Sequence, residues 1–328
     1  MGDLVKGMVE PLAKRWTATM GGPLLLFWMA GALTVLHRFG PPSELCGRAG
    51  ALGRPVCRIA GQGAWGTALL AAALTAGLVL SAVALSAVAS PALEVLAGRW
   101  GTSAPAVALA HRRTARHASR RERLGRRAAD RSGPGAHQGD RLIAWRAQNA
   151  WRRTGAGRAW SHYPRRRDEL RPTAVGNALH GVAAGIERNY GLSLPVCWGP
   201  FVECLEATAR ERLTASATRV LGRTQALVCA VLAPVWTLLL EGVAARVVWL
   251  VVCALWVWGA HRALRSGTEQ YCEHVRDVFA VHRIRLYRAA GFPAPVSTEA
   301  EVASGNALSE ALAMELTRDT LFAWPDAP

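Results

Sequence analysis

Residues 67–89 read TALLAAALTAGLVLSAVALSAVA. The stretch carries no charge and no proline, and it exceeds the roughly 20 apolar residues that cross a bilayer as an α-helix. A backbone in hydrocarbon must satisfy its own polar groups, so a single uncharged run of this length predicts a transmembrane helix. The uncharged sequence around it extends from Gly61 to Leu93. Ala73, Gly77 and Ser81 recur every fourth residue within it, a small-residue face that lets helices approach closely. This face favours packing against another span of the same chain, and leaves association with a second copy as the alternative.

Working outward, Trp16–Leu36 is a second charge-free run, preceded by Lys6, Lys14 and Arg15. A signal peptide is the rival reading, but the apolar core is long and no small-x-small cleavage site follows. Charge-free sequence returns between Arg223 and Glu241 and from Val247 to Ala260. These two read as a hairpin, with Gly242–Ala245 and a snorkelling Arg246 making up the length of the shorter limb. A re-entrant hairpin is its rival.

The chain has 328 residues, of which 51% are hydrophobic, and a net charge of +16. Apolarity and basicity of this degree in one chain require segregation into spans and charged segments. The charge concentrates between His111 and Arg167, where arginines outnumber Glu122, Asp130 and Asp140 many-fold. Basic loops are retained in the cytoplasm. The expected fold is therefore all-α, an integral protein of the cell (inner or plasma) membrane with both termini cytoplasmic. Residues 1–98 hold the first transmembrane pair, with spans at about 16–38 and 64–90 and an outer loop at 39–63. Residues 99–222 form a basic cytoplasmic helical insert, 223–262 the second transmembrane hairpin, and 263–328 a cytoplasmic helical C-terminal region.

Cys46 and Cys57 fall in the outer loop, where an oxidising exterior permits a disulfide; the other five cysteines fall in spans or cytoplasmic helices. The glycine pattern GQGAWG at Gly61–Gly66 follows no strand, so it lacks the context that gives such glycines a phosphate-binding role. No Walker loop, zincin, nucleophile-elbow or paired CxxC pattern occurs, and the histidines and cysteines lack metal-site spacing. Neither catalytic residues nor a cofactor is expected.

The stretch HRRTARHASRRERLGRRAAD (111–130) is rich in helix formers and is expected to prolong the second span into the cytoplasm. Beyond a break, RLIAWRAQNAWRR (141–153) interleaves Trp145 and Trp151 with Arg141, Arg146, Arg152 and Arg153. This pattern suits a helix in the headgroup layer of anionic lipids, and the same charges would also hold nucleic-acid phosphates.

Pro172 and Thr173 open a helix whose apolar face is Val175, Leu179, Val182 and Ile186. Tyr190 and Gly191 close it, and Pro195 starts a second helix carrying Trp198, Phe201 and Leu205. Beside Gly176, Asn177 is placed to satisfy backbone groups at the helix start. The set Pro172-Thr173, Gly176-Asn177, Leu179, Tyr190-Gly191-Leu192 and Trp198-Gly199-Pro200 resembles an uncharacterised family of actinobacterial multi-pass membrane proteins with a PTxxGNxL, YGL and Trp-Pro element between two pairs of spans. Two departures stand out: no acidic residue lies between Gly181 and Gly185, and a glycine separates Trp198 from Pro200. The resemblance implies the topology above, with the motif as a structural element, and brings no activity.

In the C-terminal region Tyr271, Val275, Val278, His282 and Leu286 share a helix face, and Thr298 with Glu301 reads as a capping box. Acidic residues beyond Gly291 read as a solvated tail, with docking on the arginine-rich insert as the alternative. The function expected from all this is a non-enzymatic, membrane-anchored interaction or scaffold protein, with anionic lipids and an unidentified protein as partners. A component contacting nucleic acid, as in plasmid transfer, and a pore-forming effector are the alternatives.

Overall fold

A computed structural model describes residues 21–40, 57–59, 61, 63–132, 157 and 160–313. Among them there is no strand. The helices are α1 (Gly21–Phe39), α2 (Ala64–Leu96), α3 (Ala104–Ser132), α4 (Ala174–Tyr190), α5 (Leu194–Glu203), α6 (Ala207–Leu232), α7 (Val243–Ala289) and α8 (Thr298–Leu312). A 3-10 segment, Ala233–Leu239, prolongs α6. Four helices are long and apolar enough to cross a membrane: α1, α2, α6 with its 3-10 extension, and α7. The all-α architecture with four candidate spans is thus present.

Contacts divide the chain into two units. Among described residues, a span unit comprises 21–40, 57–59, 61, 63–93 and 218–264, and a helical unit comprises 94–132, 157, 160–217 and 265–313.

In the span unit, Leu24, Leu85 and Cys229 form a small core, against which Phe27, Ala82, Val228 and Trp256 pack. Most of the apolar surface points outward instead; Leu74 is 71% exposed. This inversion suits a lipid solvent, in which association rests on close packing more than on apolar burial. The tightest approach is at Gly31, where an added Cβ would lie 2.5 Å from the Trp236 ring. Phe27 and Trp28 flank the same indole at 5.2 and 5.9 Å. Pro234 lacks an N–H for the α-helical ladder, which accounts for the tighter 3-10 winding there. Gly242, at φ 82°, makes the turn into α7, and Arg246 folds back to donate to the Leu240 carbonyl at 3.0 Å.

Among the described residues, the small-residue face of α2 is only partly used. Ser81 accepts a bond from Trp28 Nε1 at 3.1 Å, but Ala73 is exposed and a Cβ on Gly77 would meet nothing within 4 Å. Among the described residues, the intrachain contact of this face is thus seen at Ser81 and not at Ala73 or Gly77.

A second expectation also fails. The arginine-rich stretch does not prolong α2: the chain leaves helical geometry at Ala97, with Gly98 at φ 90°, and restarts at Ala104. Such a φ is accessible to glycine at little cost and ends the helix.

In the helical unit α4, α5 and α8 pack on one another, and α7 supplies Phe279, Leu286 and Tyr287 to their shared core. Phe201 meets Phe279 in a tilted pair with ring centroids 4.4 Å apart, and Leu192, Leu194 and Leu308 are fully buried. Each such side chain contributes roughly 1.5–3 kcal/mol of burial. On the C-terminal face read from the sequence, Tyr271, Val275, Val278 and Leu286 are buried, while His282 is half-buried. The last helix is capped one residue earlier than the capping box implied. Ser297 is extended at φ −147° and accepts the Ala300 N–H, whereas Glu301 turns away to pair with Arg283 at 2.5 Å.

Candidate functional site

The Pro172–Trp198 motif is positioned by backbone contacts at both ends. Thr173 Oγ1 caps α4 by accepting the Gly176 N–H at 2.9 Å, and donates to the Leu96 carbonyl at 2.5 Å. One hydroxyl therefore serves both the start of α4 and the end of α2. Gly176 permits this approach, since a Cβ there would fall 2.1 Å from the Ala97 oxygen. Pro172 lies against Gly98, and Asn177, 2% exposed, ties the turn together. Its Oδ1 accepts the Arg171 N–H at 2.8 Å, and its Nδ2 donates to the carbonyls of Arg171 at 2.8 Å and Thr173 at 2.7 Å. At the other end Gly191, at φ 69°, closes α4, and Tyr190 sits beneath the Arg283 guanidinium at 4.5 Å. Trp198 is buried beside Phe201. Each of these motif positions is thus engaged in packing or backbone bonding.

The remaining sequence-derived residues divide simply. Cys57 is disulfide-bonded, and Cys46, the partner expected from the sequence, lies outside the described residues. Arg141, Arg146, Arg152 and Arg153 also lie outside them.

The chemistry that is on view begins with α3. Thr114, His117, Ala118, Arg121, Leu124 and Gly125 are buried or half-buried and recur at three- and four-residue spacing. Arg112, Arg113, Arg116, Arg120, Arg123, Arg126 and Arg127 occupy the exposed face. Among the described part of the basic stretch, Arg121 is thus the arginine that helical phase turns inward.

Arg121 enters a pocket of about 380 Å³. Three other arginines reach the same space from separate elements: Arg165 from the segment before α4, Arg188 from α4 and Arg276 from α7. Glu273 is the one carboxylate among the lining residues; Ser161 and Asn189 add neutral polar groups, and Trp160, Tyr163 and Pro164 an aromatic and apolar wall. Gly181 and Gly185 line the α4 side. A Cβ on Gly181 would lie 2.7 Å from the His162 carbonyl, so this glycine admits the segment that carries Tyr163. A Cβ on Gly185 would meet nothing within 4 Å.

The charges are only partly compensated. Arg188 pairs with Glu169 at 3.4 Å, and Arg121 donates to the Arg165 carbonyl. Glu273 lies 3.4 Å from His162 Nε2. The side chains of Arg165 and Arg276 have no hydrogen bond or ion pair among the described residues. His162 is 5% exposed and its Nδ1 has no hydrogen-bond partner among those residues. Burial holds its pKa below the usual 6.5, against the opposing pull of Glu269 and Glu273. His117, 2.9 Å from the Tyr163 hydroxyl, is lowered too, first by burial and then by Arg120, Arg265 and Arg113. Burial pushes the Tyr163 hydroxyl up. The arrangement offers planar, permanently charged donors in a recess, suited to holding an anion.

No group of three or more His, Cys, Asp or Glu side chains able to hold a metal ion occurs among the described residues. Comparison of the chain with protein-family models, with curated proteins and with solved structures finds no match.

Proposed function

We propose that the protein is a non-enzymatic interaction protein of the cell membrane, with both termini in the cytoplasm and a basic helical unit that engages anionic lipid surfaces. The observation that carries this reading is the division of labour on α3. One face is buried in the helical unit, while the opposite face presents Arg112, Arg113, Arg116, Arg120, Arg123, Arg126 and Arg127 to solvent. Glu122, the acidic residue among them, is already paired with Arg167. Each such cation near an anionic bilayer contributes roughly 1 kcal/mol of attraction at physiological ionic strength. With four candidate spans in the same chain, these contributions would act without the entropy of recruiting the unit from solution. The resemblance to actinobacterial multi-pass proteins supports the same organisation.

The test uses the full chain in nanodiscs of neutral lipid. Vesicles containing phosphatidylserine should bind in a salt-sensitive way, and neutral vesicles should not. Replacing Arg112, Arg116, Arg120 and Arg123 together with glutamine should abolish the binding. Preference for duplex DNA over anionic vesicles at equal salt would replace this reading with nucleic-acid contact.

A further inference from the structure

We infer that the pocket lined by Arg121, Arg165, Arg188 and Arg276 is a binding site for a phosphomonoester that carries a hydroxylated organic part. This goes beyond the lipid-facing reading of α3, because the pocket uses the opposite face of that helix and would bind one small group instead of a surface.

Four arginines line one recess from four separate elements, against a single lining carboxylate. Like charges brought together out of bulk water repel, and Coulomb energies at a few ångströms rise as the local dielectric falls. A protein relieves such a cluster by pairing each cation internally or leaving it to water; Arg165 is exposed, whereas Arg276 is half-buried and has no hydrogen bond or ion pair among the described residues. A dianion is the complement that remains. Guanidinium forks bind phosphate oxygens in pairs, and a phosphomonoester presents three equatorial oxygens to several forks at once.

The rest of the pocket sets the organic part. Glu273 is anionic and would repel a second phosphate at its end, but it accepts a hydroxyl hydrogen bond, as the Asn189 amide oxygen does. The volume of about 380 Å³ exceeds inorganic phosphate and lies at the lower end of small-molecule sites. Gly185 keeps that space clear, since any larger residue would project its side chain where no other atom stands. The required chemistry is shared by soluble polyol phosphates and by a phosphomonoester lipid headgroup.

The experiment measures binding to the full chain in neutral-lipid nanodiscs, by ³¹P NMR saturation transfer with glycerol 1-phosphate and by flotation with phosphatidylcholine vesicles containing phosphatidic acid. At least one probe should bind saturably. Arg276→Gln and Gly185→Leu should each weaken that binding about tenfold or more while the thermal melt of the helical unit stays unchanged or rises, since the first removes repulsion and the second fills open space. Arg288→Gln, an exposed arginine of α7 that neither lines the pocket nor belongs to the exposed face of α3, should leave it within about twofold. Saturable binding of glycerol 1-phosphate identifies a soluble ligand, and pocket-dependent binding of phosphatidic acid alone identifies a headgroup. Absence of saturable binding by both probes overturns the inference. So does an equal loss with Arg288→Gln, which would reduce the effect to general charge; vesicle binding by the outer face would then still stand or fall on its own test.

Discussion

Gly191 and Gly305 hold α4 and α8 at backbone contact: a Cβ on Gly305 would lie 1.9 Å from the Tyr190 carbonyl oxygen, and one on Gly191 would lie 2.0 Å from that of Val302. Neither neighbour is a side chain that could swing aside. Gly305→Ala should therefore separate the two helices and lower the stability of the helical unit by about 2 kcal/mol or more, as overpacking does. Gly77→Ala, where a Cβ meets nothing, should leave thermal unfolding in detergent unchanged. Equal melts for the two variants would refute the contact.

Asn177 makes three buried hydrogen bonds to backbone groups of Arg171 and Thr173. An ordinary helix cap is worth about 1 kcal/mol, but truncation here strands a buried donor and acceptor of the main chain as well. Asn177→Ala should cost about 3 kcal/mol in chemical denaturation. Asn177→Asp keeps the acceptor and loses the donor, so it should fall between.

The spans and the motif helices were legible because each rests on a local signal. Charge-free runs announce the spans, with Gly242–Ala245 and Arg246 making up the shorter limb of the hairpin, and Thr173 and Gly191 stand one residue outside the helix they bound. Where two signals compete locally, backbone geometry decides: Ser297 and Thr298 both offer a hydroxyl, and the extended backbone at Ser297 makes it the cap. The break at Gly98 is masked in the sequence by the strong helix preference of the arginine-rich stretch beyond it. The pocket was illegible for a different reason. Arg121 looks like its neighbours in composition, and Arg165, Arg188 and Arg276 come from segments whose meeting depends on tertiary packing.

In the span unit, Gly31 and Trp236 form a size-complementary pair. Gly31→Val should destabilise this unit by about 1–3 kcal/mol. Adding Trp236→Ala should restore much of the loss, because the space released lies where the new methyls project. A double variant no better than the single one, by thermal scanning in detergent, would show that the pair does not share that space.

His117 and His162 are both held below 6.5 by burial, so the folded helical unit binds fewer protons than the unfolded chain as pH falls through that value. Stability conferred by the neutral rings is present above about pH 6.5 and declines below it. Glu269 and Glu273 oppose the shift of His162, and Arg276 and Arg265 reinforce it. The melting temperature should drop between about pH 7.5 and pH 5. His162→Gln should reduce the drop, and an unchanged profile in that variant would remove His162 from the account.

Cys197, Cys204, Cys229, Cys253 and Cys272 are free thiols, whereas Cys57 is bonded. Alkylation of the denatured, unreduced chain should label these five and spare Cys46 and Cys57, which should react after reduction. Reporter fusions after residues 140 and 328 should score as cytoplasmic and one near residue 50 as external. Labelling of Cys46 without reductant would break the pairing expected from the sequence.

The inward turn of Arg121 makes the pocket a matter of phase. Deleting one residue of α3 ahead of Arg121 would rotate the later turns of the helix by about 100° relative to the earlier ones. The arginine count would stay the same and the protein would remain as basic, yet a different side chain would face the recess. Mutational scans of this stretch read out by binding in the pocket should consequently tolerate many substitutions at its exposed arginines and few changes in length, a pattern that measures of bulk charge would not detect.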